Sequence, residues 1–127
     1  MFEPVARLRA RYHELSEQSR LFIDPQSPEL RIAPLQSLWR EHMLSASMVQ
    51  NKLYDTGRFV LIAPAANSPV HRAAATYRRH LVEDGCVSFD SITLETVIGA
   101  IGAAGERQFA ERLFERYADF SELDRFI

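Results

Sequence analysis

The order of apolar and polar residues along the chain predicts a mostly helical protein with two short strands. Residues 5–22 are predicted to form the first helix, because one stripe of side chains recurs at spacings of three and four. The stripe consists of Leu8, Tyr12, Leu15 and Ser19. Residues 24–28 contain two prolines, which cannot both continue a helix, so we expect a break there.

A second helix is predicted to begin near Pro34, because proline suits the first turn of a helix. One of its faces would carry a regular stripe of mainly apolar residues, which predicts a face buried in the core. The stripe consists of Leu35, Leu38, Trp39, His42, Met43 and Ala46.

Four consecutive apolar residues at 59–62, bounded by Gly57 and Pro64, favour a strand buried on both faces. Ser68 is predicted to cap the helix that follows, which would run to about Val82. The remaining predicted elements are a short strand at 86–89 extending towards Thr93, and two closing helices at 94–104 and 106–120 separated by Gly105.

These elements predict one α/β domain over residues 1–127, mostly helical and with a small, incomplete sheet. A strand that is buried on both faces needs hydrogen-bonded neighbours, and the sequence offers only one other strand. Three explanations remain open. The chain pairs edge to edge with another copy, another polypeptide supplies strands, or helices cover a small sheet.

Composition is that of a soluble globular domain, with 46% hydrophobic and 25% charged residues, and we expect a cytoplasmic protein. Intrinsic disorder is excluded, and no apolar run approaches the ~18 residues of a membrane span. Cys86 is the only cysteine, which excludes an intrachain disulfide and a thiolate zinc cluster; we interpret it as a small core residue.

The net charge of −2 is not typical of a free-standing nucleic-acid-binding protein, but the charges are unevenly distributed. Residues 1–89 carry 11 basic and 9 acidic groups, a net of +2, whereas residues 90–127 carry 4 basic and 8 acidic groups, a net of −4. An anionic polymer would therefore meet the first two-thirds of the chain, unless its arginines only form solvated helix faces.

The sequence contains no pattern of metal ligands that we can assign. A metal-dependent hydrolase needs acidic oxygens that converge on a cation, yet the acidic residues are scattered over helices and turns. Lys52 is the only lysine, and Val49-Gln50 precede it in place of a Glu-x-Lys motif. No metal ligand is therefore named, and no cofactor is expected in this chain.

Gln36 and Arg40 are the candidate site residues on the second helix. Their i, i+4 spacing places an amide and a guanidinium side by side, where arginine can bind phosphate and glutamine can position a water or a scissile group. The alternative is an ordinary surface pair. Asn67, just after the first strand, is the candidate substrate-binding residue, and the alternative is a turn or cap role.

Five segments together resemble a bacterial family of restriction-endonuclease-like proteins in the PD-(D/E)XK nuclease superfamily. They are RYHELS at 11–16, LFIDP at 21–25, LQSLWREH at 35–42, YDTGRFVLIAPAAN at 54–67 and RYADF at 116–120. The resemblance covers nearly the whole chain, in order and with few gaps. It implies that the chain corresponds to the C-terminal half of the nuclease fold.

In such a fold a helix and three strands carrying Asp and Glu-x-Lys come first, then a helix and a further strand. The resemblance implies that Gln36 and Arg40 lie on that later helix, in a supporting catalytic role, and that residues 59–62 form that strand. The metal-binding segment would lie upstream of Met1. Met1 would then be an internal methionine of a longer frame, the start of a decayed gene, or the start of a shortened protein.

The resulting hypothesis is a nuclease-like protein whose complete form hydrolyses nucleic-acid phosphodiesters with Mg²⁺, while this chain alone is inactive. A second hypothesis is a non-enzymatic interaction module, such as a homodimer that completes its sheet across the interface. A third is a split enzyme whose acidic strands lie on an upstream polypeptide. The sequence does not distinguish DNA from RNA as the partner.

Overall fold

The computed structural model describes residues 3–83 and 87–119, and in this part of the chain helices predominate. The elements in order are α1 (Glu3–Ser19), a 3₁₀ helix (Pro28–Arg31), α2 (Leu35–Gln50), β1 (Phe59–Ala63), α3 (Ser68–Arg79), β2 (Phe89–Thr93), α4 (Leu94–Ala103) and α5 (Arg107–Tyr117). The strands β1 and β2 pair in parallel as a small two-stranded sheet. The predicted α/β class, mostly helical with a small sheet, is confirmed.

The chain divides into two compact units. The first unit contains the chain up to Leu61 together with Arg72–Asp90, and the second contains Ile62–His71 together with the chain from Ser91 onwards. The prediction of a single domain stays a prediction. Among the described residues, no helix is both long and apolar enough to cross a membrane.

The core of the first unit is built around the apolar face of α2, which confirms the stripe predicted from the sequence. Leu35, Leu38, Trp39, His42 and Met43 are all buried, and Ala46 packs against the same core while remaining partly exposed. Side chains from other elements complete this core, and the buried ones are Leu15, Phe22, Leu30, Ala74, Tyr77, Leu81 and Phe89.

The helices α1 and α3 each end about three residues earlier than predicted, and one interaction explains both differences. Arg20 adopts a positive φ of 58°, which ends α1, and Phe22 then forms an antiparallel bridge with Leu81. Two backbone hydrogen bonds flank the bridge, from the N–H of Ile23 to the carbonyl of His80 (2.8 Å) and from the N–H of Val82 to the carbonyl of Leu21 (2.8 Å). The predicted helix ends at 22 and 82 are therefore wrong, because both segments pair with each other instead.

The prediction that β1 is buried on both faces is also wrong. Its exposure alternates along the strand: Val60 is 38% and Ile62 is 47% exposed, whereas Phe59 and Leu61 pack against the core of the first unit. Alternation with a period of two is the pattern of a strand with one covered face. A run of apolar residues does not by itself distinguish one covered face from two. The second strand begins at Phe89, and the predicted strand residue Cys86 lies outside the described residues.

In the second unit, α4 and α5 form the two closing helices predicted from the sequence, but α5 ends at Tyr117 and the predicted end at residue 120 is wrong. Ile98 of α4 is buried together with Ala110 and Ala118, and Leu94, Ile101 and Leu113 pack against them. Gly105 lies between the helices with a φ of +105°, a conformation that side-chain-bearing residues rarely adopt. This glycine therefore permits the tight turn that brings α5 back along α4.

His42 is a polar residue at the centre of the first unit's core, and both of its ring nitrogens have partners. Nδ1 lies 2.7 Å from the Tyr77 hydroxyl and Nε2 lies 2.6 Å from Ser88 Oγ. The ring is fully buried among Phe22, Tyr77 and Phe89. Burial disfavours the charged imidazolium and lowers the pKa of His42 to about 4. Burial likewise raises the pKa of Tyr77, so the pair stays neutral.

We predict that His42 makes the protein less stable as the pH falls from about 6.5 to about 4. Because folding lowers the pKa of His42 from its ordinary value of 6.5 to about 4, the unfolded chain binds one more proton in this window. The free energy of unfolding should fall by about 1.4 kcal/mol per pH unit, or about 3 kcal/mol in all. Denaturant titrations at closely spaced pH values, followed by Trp39 fluorescence, measure this slope.

His42→Gln is the matched control, because glutamine keeps polar atoms in the core and does not titrate. The difference in unfolding free energy between the two proteins should depend on pH only within this window. Identical pH slopes for the wild type and the variant would contradict the assignment of the slope to His42.

Candidate functional site

The structure brings Gln36 and Arg40 together in a cleft of the first unit. The cleft has a volume of about 350 Å³, at the lower end of the range for small-molecule pockets. Its lining residues come from α1, the 3₁₀ helix and α2, and they are Tyr12, His13, Arg31, Gln36, Trp39 and Arg40. We refer to these six residues as the Arg40 cleft. Among the residues that the structure describes, three aromatic rings, two guanidinium groups and one amide line it, and no carboxylate does.

Gln36 and Arg40 occupy consecutive turns of α2, beside the buried stripe of that helix. Gln36 is half-buried and Arg40 is exposed. Within the described part of the chain, neither side chain has a hydrogen bond or an ion pair with another residue. The Arg40 guanidinium therefore retains its full set of donors for a ligand in the cleft.

Arg31 is the second guanidinium of the cleft, but its donors are already engaged by the protein. Nη1 donates to the Ser27 carbonyl at 2.7 Å, and Nη2 donates to the Pro25 carbonyl at 2.9 Å. Nη2 also lies 2.6 Å from Nδ1 of His13. Burial lowers the pKa of Arg31, and the nearby carboxylate of Asp24 opposes this effect. Arg31 thus holds the 24–31 segment in place.

Trp39 forms the floor of the cleft and is fixed from both sides. Its indole N–H donates to Ser16 Oγ at 2.7 Å, and that hydroxyl in turn donates to the Tyr12 carbonyl at 2.8 Å. The Arg31 guanidinium lies over the Trp39 ring, 5.4 Å from its centroid, a distance typical of a cation–π contact. The floor therefore connects α1, α2 and the 3₁₀ helix.

His13 forms one wall of the cleft, and its charge state follows from its neighbours. Burial, followed by the charge of Arg31, lowers the pKa of His13, while the carboxylate of Glu17 acts in the opposite direction. The imidazole is therefore neutral near pH 7. The cleft as a whole carries positive charge from Arg31 and Arg40, which suits a small anion or an anionic group of a larger ligand.

Asn67 lies in the second unit, where its side chain acts on the backbone of α3. Its Oδ1 accepts from the Val70 N–H at 3.4 Å, and α3 begins at the next residue, Ser68. Asn67 rather than Ser68 is thus the residue at the cap of the helix, and the prediction that Ser68 caps it is wrong by one position. The substrate-binding role of Asn67 stays a prediction.

A divalent cation such as Mg²⁺ needs several oxygen ligands, and the described residues do not fit such a site. Within residues 3–83 and 87–119, no group of three or more His, Cys, Asp or Glu side chains is placed to hold a metal ion. The carboxylate of Asp90 pairs with Arg58 at 2.9 Å and with Arg78 at 3.0 Å. That of Glu95 accepts from the backbone N–H of Ala65 at 2.9 Å.

The sequence analysis predicted that Gln36 and Arg40 are neighbours. It did not predict that His13 and Arg31 contribute to the same cleft. Gln36 and Arg40 share one helix, so their spacing alone predicts that they are neighbours. Arg31 and His13 are 18 positions apart and meet because the segment 24–31, which ends in the 3₁₀ helix, folds back onto α1. His13 lies in the RYHELS segment at 11–16 that contributes to the family resemblance, whereas Arg31 lies in none of the five resembling segments.

Comparison with curated proteins and with solved structures finds no match. Comparison with protein-family models matches residues 1–119 to the model of the PD-(D/E)XK nuclease superfamily. The matched span contains the Arg40 cleft, both strands and all the helices of the described chain. This chain therefore belongs to the PD-(D/E)XK nuclease superfamily.

Proposed function

We propose that this chain binds nucleic-acid phosphodiesters in the Arg40 cleft, as the non-catalytic C-terminal portion of a bacterial restriction-endonuclease-like protein. The observation that carries the proposal is the Arg40 guanidinium, which is exposed and without an ion-pair partner among the described residues, beside the Gln36 amide. Family membership supports a nucleic-acid ligand, and the fold alone would not.

The chemistry of the lining favours a phosphodiester over a neutral ligand. Arginine presents a planar fork of donors that matches two phosphate oxygens, and a glutamine amide one helical turn away donates a further hydrogen bond without added charge. Arg31 also contributes positive electrostatic potential to the cleft, although its Nη groups already donate to backbone carbonyls. An anionic backbone would also be attracted by the net charge of +2 on residues 1–89.

Phosphodiester hydrolysis by a complete family member would use Mg²⁺ held by the carboxylates of the Asp and of the Glu in Glu-x-Lys, on strands that precede this segment in the fold. Lys52, the only lysine of this chain, is not part of such a motif. In the complete protein, Arg40 and Gln36 would support the reaction by holding the phosphate or the region of the catalytic lysine. Arg40 and Gln36 would have the same supporting role if an upstream polypeptide supplied the acidic strands.

We predict that Arg40→Ala weakens binding of a labelled single-stranded oligonucleotide by roughly 10- to 100-fold, because a charge-assisted hydrogen bond contributes about 1.5–3 kcal/mol. The slope of log K against log salt concentration should also decrease by about 0.7. Fluorescence anisotropy between 50 and about 200 mM salt measures both quantities. Arg79→Ala is the control, since Arg79 is an exposed arginine of α3 and its loss changes the net charge equally. Equal effects of the two substitutions would contradict a specific role for Arg40.

We further predict that the purified chain does not cleave DNA or RNA in the presence of Mg²⁺ or Mn²⁺. Supercoiled plasmid and labelled single strands of both nucleic acids are suitable substrates, and gel electrophoresis detects nicked or shortened products. Metal-dependent cleavage that is lost in Arg40→Ala would show that the chain is catalytic by itself, and would overturn this part of the proposal.

A second candidate function is an interaction module that completes its sheet with a second copy of the chain. Among the described residues, the sheet has two strands, and Val60 and Ile62 of β1 are exposed. Each strand of a two-stranded sheet has one edge without a ladder partner, and such an edge is a template for pairing with another chain.

If the chain is an obligate homodimer, multi-angle light scattering should give twice the mass of 14.5 kDa at micromolar concentration, and the mass should persist on dilution. Ile62→Lys, which places a charge on the exposed face of β1, should then shift the mass towards that of one chain. A cooperatively folding monomer at all concentrations would exclude this candidate.

A further inference from the structure

We infer that His13 is a third ligand-binding residue of the Arg40 cleft, and that Arg31 positions it with the proton on Nε2, available to a phosphate oxygen. The inference rests on the proposed function for the identity of the ligand. The position and tautomer of His13 are properties of the unliganded protein and are tested separately. The sequence analysis predicted Gln36 and Arg40 as site residues and assigned no role to His13.

The donors of Arg31 determine the tautomer. A guanidinium carries only donors and stays protonated, so any nitrogen that it contacts must accept. Nη2 of Arg31 lies 2.6 Å and Nε lies 3.1 Å from Nδ1 of His13, whereas the shortest contact to Nε2 is 3.5 Å. Nδ1 is therefore the accepting nitrogen. In a neutral imidazole the other nitrogen then carries the hydrogen.

Arg31 is held in place by contacts that do not involve the ligand. Its Nη groups donate to the carbonyls of Ser27 and Pro25, and Nη2 lies 3.3 Å from Oε1 of Gln26. The guanidinium also lies over the Trp39 ring. Arg31 is therefore a positioning residue: it fixes the orientation of the imidazole rather than competing for the phosphate.

The imidazole remains part of the cleft lining under these constraints. Its centroid lies 5.9 Å from that of Trp39, and it lines the same cleft as Gln36 and Arg40. Burial and then the charge of Arg31 on the 3₁₀ helix disfavour a positive charge on His13, and Glu17 on α1 opposes them. Arg40 on α2 lines the same cleft. His13 thus supplies a neutral N–H donor beside the charged donor of Arg40.

A neutral donor and a charged donor differ in a measurable way. Each cation that neutralises a phosphate releases counterions and steepens the dependence of binding on salt, whereas a neutral hydrogen bond does not. His13→Ala should weaken binding of the labelled single-stranded oligonucleotide by about 2- to 10-fold and leave the salt slope unchanged. His13→Gln, which places an amide N–H near the position of Nε2, should restore part of the affinity.

Substitution of Arg31 should alter the pH dependence of binding. In the wild type, His13 stays neutral, so binding should be nearly constant between about pH 8 and pH 6.5. In Arg31→Gln, the neighbouring charge is removed and the pKa of His13 should rise towards its ordinary value. Burial still lowers that pKa in the variant, so His13 becomes cationic only at lower pH, but binding should begin to strengthen at a higher pH than in the wild type.

Long-range ¹H–¹⁵N NMR spectra of the wild-type protein without ligand measure the tautomer directly and do not depend on the folding of any variant. The expected result is a protonated Nε2 and an unprotonated Nδ1 for His13 at pH 7.5. A protonated Nδ1 would overturn the inference, as would unchanged binding by His13→Ala when Arg40→Ala loses affinity. If Arg40→Ala binds like the wild type, the proposed function fails, and the inferred ligand contact of His13 fails with it, while the tautomer result still decides the role of Arg31.

Discussion

The hydrogen bond from the Trp39 indole to Ser16 lies where the core of the first unit meets the Arg40 cleft. Trp39 is almost fully buried, yet one side of its ring lines the cleft. Since Ser16 belongs to α1 and Trp39 to α2, this 2.7 Å bond fixes the two helices against each other. The Arg31 guanidinium then lies on the same ring. The residues of the Arg40 cleft therefore lie on α1, on α2 or on the 3₁₀ helix, and Trp39 connects these three elements.

Two histidines of the first unit, His42 and His13, are kept neutral. Neutrality of the first affects the stability of the fold, and neutrality of the second affects ligand binding. His42 is fully buried, and burial alone lowers its pKa; both ring nitrogens have partners inside the core. His13 is partly exposed, and the charge of Arg31 adds to the effect of burial. Protonation of His42 would place a charge in the core, so its neutrality affects the stability of the fold. Neutrality of His13 instead determines which hydrogen-bonding groups the cleft presents.

The sequence predicts those features that depend on one element at a time. The buried stripe of α2 and the adjacency of Gln36 and Arg40 follow from the periodicity of a single helix, and the small sheet follows from the scarcity of strand-forming segments. The helix ends predicted at 22 and 82 fail because residues 21–23 and 80–82 pair across the unit. Such pairing joins segments about 60 residues apart, and local propensity contains no information about it.

The same reasoning explains why Arg31 and His13 were missed and why the two arginines of the cleft differ. The engagement of Arg31 depends on the path of an irregular segment, whose carbonyls at Pro25 and Ser27 turn towards its guanidinium. Those carbonyls offset the cost of partly burying the cation, so Arg31 can remain charged below the cleft. Arg40 has no such partners among the described residues and remains exposed. Arg31 therefore holds the residues of the cleft in position and contributes positive potential, whereas Arg40 remains available to an anionic ligand. The two side chains are chemically identical and differ only in their surroundings.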